Sequence, residues 1–486
     1  MIIATKDVAV GQPSKRFIGI FSLAMINCAA VLNLKNFPVM AEYGLGMLFF
    51  YAFSVFFFLI PTALVSAELA TGFPGEGGIF HWVSKALGDR LGFLAIWLQF
   101  VSNAVGFPVT LIYLAALLAY VSGYPELAAR SDYVFLVVLV VTWLGTGITL
   151  RGMRLTSFVT HWASLLGMII PGLIVIFLGI SWILCGHDSY TALSLEALFP
   201  RLNSVEQFIF LLNVFLGFSG LEVSAAHIQE VKNPRRSYPW ALLLAAVMIF
   251  AISLLGSLAI AFSVPKEVLK LESGVLQAME ALLTQFDLGV LTPWIALAMA
   301  LGALGHFVAW VAGPARGLLA TAKCGYLPPF LRKTNAWGMP SAIMVSQACA
   351  ITFFSLFLLW LPSITTCFWV LMAMTAQTLL VMYILLFITG IVLKFKYPQV
   401  KRAYTVPFGK WGMTAIGSLA TLACIGAYII GFLPPKEIHF ENRMLYVLIM
   451  LLGNAFLMLP AWVIIRSRKF HEKSAPKQVE FLGMEK

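Results

Sequence analysis

Residues 208–228 read FIFLLNVFLGFSGLEVSAAHI: an apolar stretch, then Gly217-Phe218-Ser219-Gly220-Leu221-Glu222, then a small-residue run to His227. At ~20 residues per bilayer crossing this is the length of one span. Its middle, however, carries two glycines around a serine, each costing a helix about 1 kcal/mol, with a carboxylate directly behind them. Two readings fit. Small residues let a neighbouring helix approach closely. Alternatively the helix breaks here, and the freed N–H groups and the positive end of the following half-helix receive an anionic group. The broken helix is the reading adopted.

Apolar runs of similar length recur along nearly the whole chain, at roughly 17–38, 45–70, 91–121, 133–150, 158–184, 206–228, 239–263, 290–322, 341–361, 364–393, 411–433 and 444–465. The chain has 486 residues, 60% of them hydrophobic and 11% charged. Soluble domains carry about 45–50% apolar and about 25% charged residues, so a water-facing surface cannot be built from this composition. The fold class implied is an all-α integral membrane protein with twelve transmembrane helices. A membrane β-barrel is excluded, because its strands alternate over ~10 residues, and the short loops leave no room for a soluble catalytic domain. The first run begins at Phe17 after Lys15 and Arg16. It lacks a small-residue cleavage site followed by a polar mature domain, so it reads as helix 1 and not as a signal peptide.

The net charge of +11 reports topology. With a cytoplasmic N-terminus, Lys15/Arg16, Lys85/Arg90, Arg151/Arg154, Lys232/Arg235/Arg236, Lys323/Arg332/Lys333, the run from Lys394 to Lys410 and the C-terminal tail all fall inside. Outside segments hold few cations, Lys35 among them, and most of the acids, including Glu196, Glu206 and Glu267. That is the positive-inside rule, with both termini cytoplasmic and the lipid bilayer, not nucleic acid, as the partner. Cys28, Cys185, Cys324, Cys349, Cys367 and Cys424 show neither metal-ligand spacing nor an extracellular pairing pattern. No disulfide, metal or other cofactor is expected, and nothing in the spacing speaks to oligomeric state.

Helices 1 and 6 open two successive sets of five. Helix 1 places Asn27-Cys28-Ala29-Ala30 mid-span, with Asn33, Lys35, Asn36 and Pro38 toward its outer end. Asn27 alone fits an interhelical hydrogen bond, but corresponding polar interruptions in two halves point to a midplane site between inverted repeats. The repeat is inferred from spacing only. Helix 8 carries His306, Trp310, Gly313-Pro314 and Arg316. Proline removes a helical hydrogen bond, predicting a kink near Pro314, while Arg316 reads as a side chain snorkelling to the headgroups. His306 lies deeper and is either hydrogen-bonded packing or a group that titrates near physiological pH.

The stretch Ala67–Phe80, AELATGFPGEGGIF, resembles the signature of amino acid–polyamine–organocation permeases. Residues 217–239, GFSGLEVSAAHIQEVKNPRRSYP, are similar to the unwound helix and following cytoplasmic turn of the same family. More narrowly, residues 308–329, VAWVAGPARGLLATAKCGYLPP, and 396–407, KYPQVKRAYTVP, resemble the glutamate/γ-aminobutyrate antiporter branch. The resemblance runs from about Phe17 to Arg466. It implies a five-plus-five inverted-repeat fold with broken helices 1 and 6, alternating access, and amino acid exchange across a bacterial inner membrane. The implied organisation is a cytoplasmic segment 1–16, one transporter domain 17–466, and a cytoplasmic tail 467–486. Within the domain, repeat one spans about 17–184, repeat two about 206–393, and helices 11 and 12 about 411–465.

Carried over position by position, the resemblance puts the amino acid's carboxylate and amine against unwound backbone at Asn27, Cys28, Ala29 and Ala30 and at Gly217, Phe218, Ser219 and Gly220. Phe218 would be an aromatic neighbour of the substrate and Tyr383 would close a hydrogen-bond network over it. Glu222 and His306 are the proton-coupling or pH-sensing candidates, and Trp310 a gate or pocket wall. The chain also departs from the family. Asn27-Cys28-Ala29 replaces a Gly-Ser-Gly-like run, His306 aligns where the acid-resistance antiporters have a carboxylate, and only about twenty residues follow Arg466. A pH lock by a long C-terminal plug is therefore not expected.

An obligate amino acid exchanger is the preferred function, with a proton-coupled symporter as the runner-up. A polytopic membrane enzyme would need convergent nucleophiles or metal ligands, and the seven histidines show no such spacing. The other large twelve-helix transporter architecture carries a basic motif between helices 2 and 3, where this chain reads TGFPGEGGIFHWVSKALG.

Overall fold

The computed structural model describes residues 18–75, 77–191, 194–199, 208–265, 274–361, 363–434 and 443–466. Among them the chain is helical, with one isolated β-bridge between Ile18 and Val231. The predicted terminal segments 1–16 and 467–486 lie outside the described residues. Ten helices are long and apolar enough to cross a membrane, among the described residues. Numbered together with the short helices of the two interrupted runs, and leaving out the other short helices, the order is α1 (Ile20–Val31), α2 (Gly44–Gly72), α3 (Asp89–Val121), α4 (Ser131–Leu150), α5 (Met153–Leu184), α6 (Ile209–Gly217), α7 (Arg236–Ser263), α8 (Gly289–Lys323), α9 (Ser341–Trp360), α10 (Ile364–Lys396), α11 (Gly409–Ile430) and α12 (Arg443–Arg466).

The runs 17–38 and 206–228 do not form one helix each. α6 ends at Gly217, Phe218–Gly220 is irregular, and a 3₁₀ stretch follows over Leu221–Glu230. This break falls where the glycines predict it. α1 ends at Val31, Leu32–Lys35 is irregular, and a short helix resumes over Asn36–Ala41. Here the expectation of unwound backbone at Asn27–Ala30 is corrected. Asn27 Nδ2 donates to Leu23 O on the preceding turn at 2.8 Å, a bond made along the helix that leaves it closed. The alanines that follow are the best helix formers. Beyond Val31, Asn33 Oδ1 accepts from Lys35 N at 3.3 Å, a local turn that competes with helical bonding.

Proline shapes two other spans. Pro61 and Pro171 each follow a π-helical turn, Val55–Leu59 and Leu165–Ile169, where a wider turn accommodates a ring that cannot donate to the preceding turn. α8 continues through Pro314 as one helix.

Lipid offers no hydrophobic drive between helices, so close packing of small residues brings them together. A Cβ on Gly167 of α5 would lie 2.4 Å from Gly302 of α8, and one on Gly305 would lie 2.2 Å from Ala163. α5 and α8 thus meet backbone to backbone. α3 is the most deeply buried of the long helices and faces both α8 and α10. Lys232 N donates to Ile18 O at 2.8 Å, tying the entry of α1 to the exit of the 3₁₀ stretch, so that the two broken spans lie side by side.

Two stretches singled out in the sequence also meet in space. Glu68, near the end of α2, is 1% exposed. Its Oε1 accepts from Lys394 Nζ at 2.7 Å and lies 3.1 Å from Arg402 Nη1, while Oε2 accepts from Val406 N at 2.7 Å. One carboxylate therefore fastens α2 to the end of α10 and to the loop beyond it.

Candidate functional site

Ending α1 at Val31 leaves its last carbonyls without helical partners. Two are taken up by α8. Trp310 Nε1 donates to Ala30 O at 2.7 Å, and His306 Nδ1 lies 3.2 Å from Ala29 O. A carbonyl only accepts, so the imidazole donates from Nδ1 in this contact.

The α6 break is braced differently. Gly220 has φ +117°, a left-handed conformation that glycine adopts without steric cost. Its N–H donates to Tyr383 Oη at 2.7 Å, Tyr383 Oη donates to Glu222 Oε2 at 2.6 Å, and Gln99 Nε2 donates to Glu222 Oε1 at 3.0 Å. Glu222 is 3% exposed, so its carboxylate is buried with a donor on each oxygen, as a buried polar group requires. A Cβ on Gly220 would lie 2.6 Å from Trp310 Cζ2. The absent side chain is what admits the indole.

Between the two breaks lies a cavity of about 80 Å³. Ala30, Asn33, Lys35 and Asn36 line it from the first break, Gly217 and Ser219 from the second, and His306 and Trp310 from α8. α3 adds Ser102, Asn103, Gly106 and Thr110, and α10 adds Met372, Thr375 and Leu379. A second chamber of about 380 Å³ lies beside it, lined by Met25, Met153, His161, Val223 and Arg316 among others. Ala30 and Trp310 border both. These two residues, joined by the Trp310 Nε1 to Ala30 O hydrogen bond, stand where the small cavity and the large one adjoin.

Of the residues singled out in the sequence, Ala30, Gly217, Ser219, His306 and Trp310 face the small cavity. Asn27 and Cys28 sit further back on α1, buried in its packing, and Ala29 borders the larger chamber. Phe218 turns away and packs on Tyr51 with ring centroids 5.7 Å apart. Gly220, Glu222 and Tyr383 form the brace behind the cavity and do not line it. The side chain of His227 is outside the described residues.

Sequence reasoning missed Lys35, read there as a charge of an outer segment. It is 9% exposed, and its Nζ donates to Thr110 Oγ1 at 2.9 Å inside the cavity. The polar face of α3 was missed as well. Gln99, Ser102, Asn103, Gly106 and Thr110 recur at helical spacing on an otherwise apolar span, and that periodicity was the available signal.

Residues 18–454 match the family described as amino acid permease. An uncharacterized transporter of Legionella pneumophila is 36% identical over 451 residues, covering 93% of this chain and 97% of that protein. A glutamate/gamma-aminobutyrate antiporter of Lactococcus lactis is 32% identical over 90% of this chain and 88% of its own length. A probable agmatine/putrescine antiporter from the same species is 25% identical over 81% of this chain. The match begins before α1, takes in both broken spans and ends within α12: the chain belongs to the amino acid permease family.

Proposed function

We propose that this multi-pass membrane protein exchanges amino acids, with glutamate and γ-aminobutyrate as the pair, across a bacterial inner membrane by alternating access. The observation that carries the reading is the convergence of two helix interruptions on one cavity. The polar side chains that the interruptions bring to it, Asn33, Lys35 and Asn36 from the first and Ser219 from the second, are suited to an amino acid's carboxylate and ammonium. The similarity to a named glutamate/gamma-aminobutyrate antiporter over nine-tenths of the chain supports the substrate pair.

In this reading the ten long helices and the two interrupted spans together make twelve crossings. Residues 17–184 and 206–393 are inverted repeats in one domain spanning 17–466. Both termini are cytoplasmic. The larger chamber is then a vestibule on the side of the membrane that carries Arg316, and parting of Trp310 from Ala30 O releases substrate into it. Bound substrate lowers the barrier to this movement, while the empty carrier returns slowly. The Gln99–Glu222–Tyr383 chain braces the α6 break, so protonation of Glu222 would be felt at Gly220. That buried carboxylate is the one observation favouring the second reading, a proton-coupled symporter.

Counterflow separates the two. Proteoliposomes preloaded with unlabelled glutamate are expected to accumulate labelled γ-aminobutyrate at least about tenfold faster than empty ones, whatever the imposed proton gradient. Equal uptake into empty vesicles, driven by a proton gradient, would make the protein a symporter.

A further inference from the structure

The charged groups that face the small cavity are few. Among the described residues Lys35 is the one that lines it, beside the imidazole of His306, while the carboxylate of Glu222 does not line it and is turned to Gln99 and Tyr383. An ammonium offers three donors, and Lys35 spends one on Thr110. No acid pairs with it among the described residues. The contrast with the other buried cations is informative, because Lys394 and Arg402 share Glu68. A buried ammonium without a counter-charge is costly, and this one borders a cavity open to a ligand. The next residue supplies the complementary deficit: Asn36 Oδ1 is buried with no hydrogen-bond partner, an acceptor in a cavity wall.

We infer that Lys35 sets substrate class, its ammonium receiving the side-chain carboxylate of an acidic amino acid while Asn36 Oδ1 accepts from the substrate's amine. The assignment rests on the exchange reading above and deepens it. Decarboxylation at Cα removes the α-carboxylate of an acidic amino acid and keeps the distal one. A cation that reads the distal group therefore serves both members of the exchanging pair. An amide in its place brings no charge and one acceptor oxygen where the carboxylate has two, so it leaves the buried ammonium without a counter-charge.

The test uses the full-length protein with glutamate, glutamine, γ-aminobutyrate and 2-aminobutyrate, the last isomeric with γ-aminobutyrate but lacking the distal carboxylate. Ligand-induced shifts in melting temperature in detergent read binding, and competition against labelled glutamate in preloaded vesicles reads exchange. Wild type is expected to prefer glutamate over glutamine, and γ-aminobutyrate over 2-aminobutyrate, by at least about tenfold. Lys35→Met should remove both preferences, and Lys35→Arg should keep them. Wild type that binds glutamine as well as glutamate would overturn the assignment, whatever the variants do. So would a folded Lys35→Met that keeps the wild-type order. Wild type that binds with the predicted order and yet does not exchange would overturn the exchange reading and leave Lys35 in its role.

Discussion

Gly220→Leu is expected to abolish substrate binding and exchange, lowering transport at least about a hundredfold while the protein still inserts and folds. Two effects converge on this position. The backbone at φ +117° disfavours any side chain by about 1–2 kcal/mol. The first carbon of that side chain would also arrive 2.6 Å from Trp310 Cζ2, so the indole must move. Trp310 is the partner of Ala30 O, and displacing it breaks the contact where the two cavities adjoin. The same shift pulls Gly220 N from Tyr383 Oη, loosening the brace on Glu222. Gly220→Ala should show most of the loss, since the clash begins at Cβ. Labelled-substrate binding in detergent checks this without reference to transport, and wild-type binding in Gly220→Leu would refute the broken-helix site.

Glu68→Gln should destabilise the folded protein by roughly 3–5 kcal/mol, the cost of removing one partner from a buried ionic group. Lys394 and Arg402 then keep their positive charges, 7% and 5% exposed at the side chain, with no carboxylate between them. The effect should appear as a lowered melting temperature in detergent and as faster proteolysis of the loop beyond Lys396. The double variant Glu68→Gln/Lys394→Met is expected to recover part of the loss, because one stranded cation is gone. A melting temperature unchanged by Glu68→Gln would mean that water reaches the cluster.

Much of the architecture was legible because hydrocarbon imposes length: runs of ~20 apolar residues have one interpretation. The α6 break was legible for a local reason, since Gly217 and Gly220 around Ser219 weaken a helix wherever they occur. The α1 break was misplaced because Asn27 advertises polarity but bonds along its own helix, to Leu23 O. The residues that do open the helix, Asn33 to Lys35, look like the polar end of a span. Lys35 was lost in the same way, since hydropathy records position along a run and not depth within the bundle. Phe218 was expected beside the substrate and Tyr383 over it, but the direction of each side chain follows from tertiary packing. One turns to Tyr51 and the other to Glu222, and no spacing in the sequence encodes that choice.

The most direct measurement of the central claim is an electron cryo-microscopy map of the protein with bound glutamate. Density for one amino acid is expected between Leu32–Lys35 and Phe218–Gly220, with its distal carboxylate at Lys35 Nζ and Trp310 closing it from the larger chamber. Density confined to the larger chamber, among Met153, His161 and Arg316, with the space between the two breaks empty, would contradict the account.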